Sequence, residues 1–374
     1  MKILMIPLEY EDHPNSDVRL VPIISFLKMQ NVDLLGLHFI HEIGFESSND
    51  FFTTKKILGF FNLALYLLKT IIYGLKHGNK CDIIFCEHLY SLLPGSVIKM
   101  FYRKPLIWDS HGNLLSACKE LNNSKLYTAM IWFFEKCLGS FPDMLVVPTL
   151  LDKKLYVEQG FKEEKVSVIP LCIDLKKIPK ISDRAELREK LGIEGNKKIL
   201  LFGGKRVYLP NRDAAFWINN VLAPIIEKEH NDVEIIITGS GDLPDKIHRI
   251  VRFVGFVPNI QEYICAADIC LIPVHLDNGV STKLLEYMAF SRPVIADSSL
   301  IRAMPEAKDM VNLIVAENLE QFTDRVLWSL NNYKKLNEIS ICAGRTIEKY
   351  YNWDLESKRW MQLLSKYTKE RTSE

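Results

Sequence analysis

Short apolar runs alternate with amphipathic stretches from the first residues onward: an apolar run at 2–8, an amphipathic stretch at 18–29 and a second apolar run at 32–39. That rhythm predicts βαβ units and a parallel sheet. Further strands are predicted at 83–86, 106–108, 144–147 and 166–169. A helix is predicted over 51–80, where Ile57, Phe60, Phe61, Ala64, Leu67, Leu68 and Ile71 recur at helical spacing.

Around 175–196 the text turns polar and charged, and the rhythm then restarts. Strands are predicted at 199–202, 233–238, 253–256, 269–274 and 293–296, with helices at 214–229, 260–266 and 283–290. The helix at 214–229 rests on one stripe of Ala214, Ile218, Val221, Leu222, Ile225 and Ile226. Helices at 319–331, 333–350 and 355–367 close the chain. The expected fold is α/β, two Rossmann-like doubly wound domains facing across a cleft. The first domain is placed at 1–178 and the second at 179–351, with the closing helix at 352–374 packing back on the first.

With 374 residues there is too much chain for one hydrophobic core. Apolar residues at 48% and charged residues at 25% exclude a disordered or low-complexity chain. Lys and Arg number 47 against 46 Asp and Glu, so an anionic partner must be held by local groups, and nucleic acid is disfavoured. Eight cysteines lie without a C-x-x-C pair or zinc spacing, which fits reduced thiols in a cytoplasmic protein. The first apolar run is too short for a signal-peptide core, and the uncharged run 57–68 is too short to span a bilayer.

Candidate chemistry gathers at predicted strand ends. Residues 273–296 read strand, loop with one glycine, helix, stop and strand. Gly279 allows close backbone approach, Ser281 or Thr282 can cap the helix, and its N-terminus favours an anion beside Lys283. Glu286 follows one helical turn on, placed to accept ribose hydroxyls while Lys283 meets a diphosphate; the alternative is an ordinary exposed ion pair. Gly203-Gly204-Lys205-Arg206 ends another strand, ahead of a loop with Pro210 and Asn211, and Gly239 ends a third. In the first half His111 follows a strand, and Glu87, His88, Glu9 and Arg19 end other strands of that sheet, where they would line an acceptor side. No D-x-D, H-E-x-x-H, G-x-G-x-x-G after the first strand, or G-x-x-x-x-G-K-[ST] occurs, so metal-independent chemistry is favoured over dehydrogenase or P-loop chemistry.

The ordered array of Gly203-Gly-Lys-Arg206, Pro210-Asn211, Gly239-Ser-Gly241, the stretch 253–259, the stretch 279–289 and Pro293-Val-Ile295 resembles GT-B glycosyltransferases of the retaining family 4. Asp109-Ser-His111, the stretch 168–174 and Tyr351-Asn-Trp-Asp354 extend the resemblance over nearly the whole chain. It implies a UDP- or GDP-linked sugar donor on the second domain and a glycan or lipid-linked saccharide acceptor on the first, with no cofactor. Lys205 or Arg206 and Lys283 would hold the diphosphate, Glu286 the ribose, Phe256 and Val257 the base region, and His111 the transferring sugar, with Asn278, Gly279, Val280, Ser281 and Thr282 lining the donor.

One departure stands out. The family carries two glutamates with seven residues between them, and Asn278 occupies the position of the first, as in the subset with a G-x-x-x-K-x-x-E signature, which 279–286 resembles. The basic stretch 51–80 with Arg103 and Lys104 adds a candidate peripheral contact with an anionic membrane at the cytoplasmic face. Two other readings of the same architecture are a nucleotide-sugar epimerase and a nucleotide-sugar-binding scaffold without catalysis.

Overall fold

The structure is a computed structural model that describes residues 1–6, 20–35, 55–120, 124–179, 183–275 and 281–369. The chain divides into two compact units, Met1–Leu171 with Asp354–Glu374, and Cys172–Trp353. Each is built on one parallel sheet with helices around it.

In the first unit the strands are β1 (Lys2–Ile6), β2 (Asp33–Leu35), β3 (Ile83–Glu87), β4 (Leu106–Asp109), β5 (Met144–Val147) and β6 (Val166–Val168), ordered β2-β1-β3-β4-β5-β6. Parallel strands need helical crossovers, which cover the sheet and bury both faces; β1, β3, β4 and β5 are accordingly almost wholly apolar. The final helix, Trp353–Lys369, seats Trp360 against Phe85 with ring centroids 5.7 Å apart, and its Tyr367 hydroxyl donates to the Asp143 carbonyl at 3.3 Å. Register pairs Glu87 with Asp109, so two carboxylates stand side by side at the carboxyl edge of β3 and β4.

The second unit contains β7 (Lys198–Gly203), β8 (Val233–Thr238), β9 (Val251–Gly255), β10 (Ile269–Ile272), β11 (Val294–Asp297) and β12 (Ile314–Ala316), ordered β12-β11-β10-β7-β8-β9. The strand order reverses between β7 and β10, so their crossovers leave in opposite directions and open a crevice at the carboxyl edge. Both glycine-bearing ends read from the sequence, Gly203 and Gly239, lie at that edge.

The segment after β7 differs from expectation. Helix begins at Leu209, not at 214, and runs as Leu209–Trp217, a π turn at Ile218–Leu222 and Ala223–Glu229. Pro210 therefore lies in a first turn, where a missing N–H costs nothing, and not in a long loop. The shift puts Asn211 in that same turn, next to the β7 loop. A further strand, β12, has no counterpart in the sequence analysis.

Candidate functional site

Space explains the glycines after β7. A Cβ on Gly203 would stand 2.9 Å from the Tyr287 hydroxyl, and one on Gly204 would stand 2.7 Å from Asn211 Nδ2 and 2.8 Å from Lys283 Nζ. Gly239 is more constrained, with φ +105° and a would-be Cβ 2.1 Å from the Gly204 carbonyl oxygen. Two backbone bonds tie these strand ends together: Gly204 N–H to the Thr238 carbonyl at 3.2 Å and Gly239 N–H to the Gly255 carbonyl at 2.6 Å.

Facing this loop is the helix Thr282–Ala289. Of the two capping candidates, Ser281 takes the role, its Oγ accepting the Leu284 N–H at 3.4 Å, while Thr282 is half-buried in the first turn. Leu284, Leu285, Tyr287 and Met288 face inward, leaving Lys283 and Glu286 half-buried one turn apart. The Tyr287 hydroxyl accepts the Gly203 N–H at 3.1 Å, which fixes the helix against β7.

Lys283 is held from two sides. Its Nζ donates to Asn211 Oδ1 at 2.6 Å and lies 4.8 Å above the Phe202 ring. Asn211 Nδ2 in turn donates to the Lys205 carbonyl at 3.0 Å, so one amide connects the ammonium to the β7 loop. Burial brings the Lys283 ammonium down to about 8, with Glu286 acting in the other direction. Burial likewise pushes the Glu286 carboxyl up to about 7, with Lys283 opposing.

Lys205 and Arg206, equal candidates in sequence, have different surroundings. Lys205 is exposed. Arg206 is only 2% exposed, and its guanidinium donates to the carbonyls of Asp242 at 2.6 Å, Gly239 at 2.7 Å and Gly241 at 3.1 Å, above the Phe253 ring at 5.0 Å. It braces the β8 loop. Beyond β9, Phe256 is 72% exposed and Val257 half-buried.

A second constellation lies at the edge of the first sheet. His111 Nε2 is 3.1 Å from Glu87 Oε1 and 3.8 Å from Asp109 Oδ2, while His88 Nε2 is 4.0 Å from Glu87 Oε1. The two imidazoles lie 4.1 Å apart between centroids. His88 has φ +60°, an unusual conformation for a residue with a side chain; Ser91 Oγ donates to its carbonyl at 2.9 Å and also to that of Glu87. Ligating atoms of Glu87, His88 and His111 fall within 4.8 Å of one another, close enough to share one cation. Glu9, Arg19, Asn278, Gly279 and Val280 lie outside the described residues.

Solved structures give the fold its relatives. The chain is similar to HepE from Anabaena in complex with UDP, at a TM-score of 0.73 and 16% identity, covering 98% of this chain and 100% of that one. It is similar to sucrose-phosphate synthase from Thermosynechococcus elongatus at a TM-score of 0.72 and 14% identity, covering 98% of each. It is also similar to a putative UDP-N-acetylglucosamine 2-epimerase from Listeria monocytogenes at a TM-score of 0.61 and 14% identity, covering 99% of this chain and 97% of that one. Such identities establish likeness of fold. In sequence, residues 197–332 match the family Glycosyl transferases group 1, and residues 42–177 match Glycosyltransferase Family 4. The chain is a GT-B glycosyltransferase.

No curated protein matches this glycosyltransferase in sequence. Two members of its candidate site escaped the sequence reading. Asn211 enters the sequence analysis as a loop residue and as part of the Pro210-Asn211 motif without a role of its own, although the proline just ahead of it is a usable helix-start signal. Tyr287 has no role assigned from sequence; its spacing of four from Lys283 is the available clue.

Proposed function

We propose that this glycosyltransferase moves a hexose-type residue from a UDP- or GDP-linked sugar to a glycan or lipid-linked saccharide, with retention of anomeric configuration and without a metal. The observation that carries the reading is the Lys283 ammonium, fixed at 2.6 Å by Asn211 at the start of a helix and beside the Gly203-Gly204 turn.

Breaking the anomeric C–O bond loads negative charge onto the departing diphosphate. A fixed ammonium and a helix N-terminus at that point stabilise the developing charge without having to reorganise. In this reading Lys283 and Lys205 hold the diphosphate, and Arg206 keeps the loop that carries Lys205 in shape. Glu286 accepts the ribose hydroxyls, and Phe256 and Val257 flank the base. His111, steadied by Glu87, contacts the transferring sugar, while His88, Glu9 and Arg19 serve the acceptor. Peripheral membrane contact through 51–80 would bring a lipid-linked acceptor within reach.

Calorimetry with UDP- and GDP-sugars, followed by measurement of nucleotide release, tests the assignment. One donor should bind, and Lys283→Ala and Glu286→Ala should each weaken it roughly tenfold to a hundredfold, the range of a lost charge-assisted hydrogen bond. Wild-type affinity and turnover in both variants would overturn the proposal. Binding with no donor turnover, alone or with glycan acceptors, would favour the scaffold.

A further inference from the structure

The first unit carries a helix that is apolar on its outward face as well as on the inward face, where Ile131 joins the core. In Lys125–Leu138 the inward-facing residues include Glu135, whereas Leu126, Met130, Trp132 and Phe133 face outward at 75, 46, 50 and 56% exposure. Leu126, Met130 and Phe133 follow one another at helical spacing and form a stripe. Beside it runs a second exposed stripe, Lys125, Ala129, Trp132 and Lys136, which puts an ammonium at each end of the apolar surface. An outward apolar stripe of this size is not the surface of a helix that meets only water.

The neighbouring helices continue it. Leu92–Tyr102 packs against both Lys125–Leu138 and Lys55–His77; Tyr90 and Tyr127 share a hydrogen bond of 3.1 Å, and Tyr102 donates to the Leu75 carbonyl. Met100, Phe101 and Leu68 are exposed on these two helices. Across all three helices the sequence holds a single acidic residue, Glu135, and it is buried. Lys76, Arg103, Lys125 and Lys136 are exposed around the apolar residues, while Lys99 is taken up by Asp143 at 2.6 Å. At the end of Lys125–Leu138, Lys136 joins Lys162 and Lys165 around a cavity of about 230 Å³. Glu163 and Glu164 are exposed between Lys162 and Lys165, so in a chain with formal net charge +1 the separation of charge rests on the three helices.

We propose that this face, centred on Trp132 and Phe133, rests on an anionic lipid bilayer, with the apolar stripe at the headgroup boundary and the lysines on lipid phosphates. Charge selects that occupant. A second copy meeting the same face would set one lysine rim against another, which is repulsive, whereas an anionic bilayer complements both the rim and the apolar centre. No described helix is long and apolar enough to cross a membrane, so the contact lies in the interface. The inference deepens the lipid-linked acceptor reading and moves the centre of contact from 51–80 to 125–138. Its test uses neither donor nor acceptor, so it stands or fails apart from that reading.

The experiment is co-sedimentation of the full chain with phosphatidylcholine vesicles, with and without phosphatidylglycerol, at low and high salt. Binding is expected only to the phosphatidylglycerol vesicles, weakening as salt rises. Trp132→Ser with Phe133→Ser should abolish it. Lys125→Glu with Lys136→Glu should lower partitioning about tenfold or more. Melting temperatures of the variants should match the wild type, since all four side chains are exposed. The proposal is overturned if the wild type ignores phosphatidylglycerol vesicles, if either folded double variant binds them as the wild type does, or if the face instead drives concentration-dependent self-association that Trp132→Ser with Phe133→Ser removes.

Discussion

Lys283 Nζ donates a 2.6 Å hydrogen bond to the Oδ1 of Asn211, which precedes it by 72 residues. The bond joins the first turns of two helices that leave the sheet from β10 and β7, on either side of the point where the strand order reverses. Asn211 lies in its first turn because Pro210 is accepted there, and Lys283 faces it because its helix buries Leu284 and Leu285 on the opposite side. A cation is thereby fixed at the crevice where a parallel sheet offers a site.

The ionisation of that lysine predicts a pH profile for donor binding. Burial brings Lys283 down to about 8, so the protonated, charged form that attracts a diphosphate prevails below that value and is lost above it. Donor affinity should be highest between about 7 and about 8: above that window it falls by up to about tenfold per pH unit as Lys283 loses its charge, and below it weakens as the Glu286 carboxyl, pushed up to about 7, takes a proton. Lys283→Arg, whose guanidinium stays charged, should remove the alkaline fall. Calorimetric dissociation constants across the range check this, and an unbroken plateau in the wild type would refute it.

Lys205 and Arg206 should separate into binding and stability. Arg206→Ala leaves the carbonyls of Gly239, Gly241 and Asp242 without their donor and should cost about 2–4 kcal/mol of unfolding free energy. Lys205→Ala, at an exposed position, should keep the wild-type melting temperature and weaken donor binding. Thermal melts beside calorimetry on the two variants suffice. The reverse pattern would make Arg206 the diphosphate ligand.

Gly239→Ala is expected to be among the most damaging glycine substitutions in the second unit. The residue has φ +105°, and its Cβ would stand 2.1 Å from the Gly204 carbonyl oxygen, a backbone atom that cannot rotate away. A loss of about 2–4 kcal/mol follows, with donor affinity falling as the β7 and β8 loops part. Gly195→Ala, where nothing lies within 4 Å, is the control and should be nearly silent. Denaturant melts compare the two.

His111→Ala should lower turnover by roughly a hundredfold while leaving nucleotide affinity intact, since its neighbours Glu87 and Asp109 belong to the other sheet. Turnover should also survive a chelator such as EDTA. Loss of activity in EDTA, restored by zinc and abolished by His88→Ala, would assign a metal to Glu87, His88 and His111 and overturn metal independence.

Local pattern carried the architecture. The helices Leu319–Asn331 and Tyr333–Tyr350 could be bounded from sequence because each buries one face along a continuous stripe. Lys283 and Glu286 could be paired because three residues along a helix share a side. Folding decided which distant residues meet. Lys205 and Arg206 look alike in the chain, yet the close approach of Gly239 to Gly204 leaves one in water and places the other on three carbonyls. Asn211 reaches Lys283, and Glu87 reaches His111, only because parallel pairing brings the carboxyl ends of neighbouring strands to one edge. Glu135 turns inward while Trp132 and Phe133 turn outward, against the residues' ordinary preferences. Periodicity reports that a face exists; strand register and helix packing select its neighbours, and those contacts are made between residues far apart in sequence.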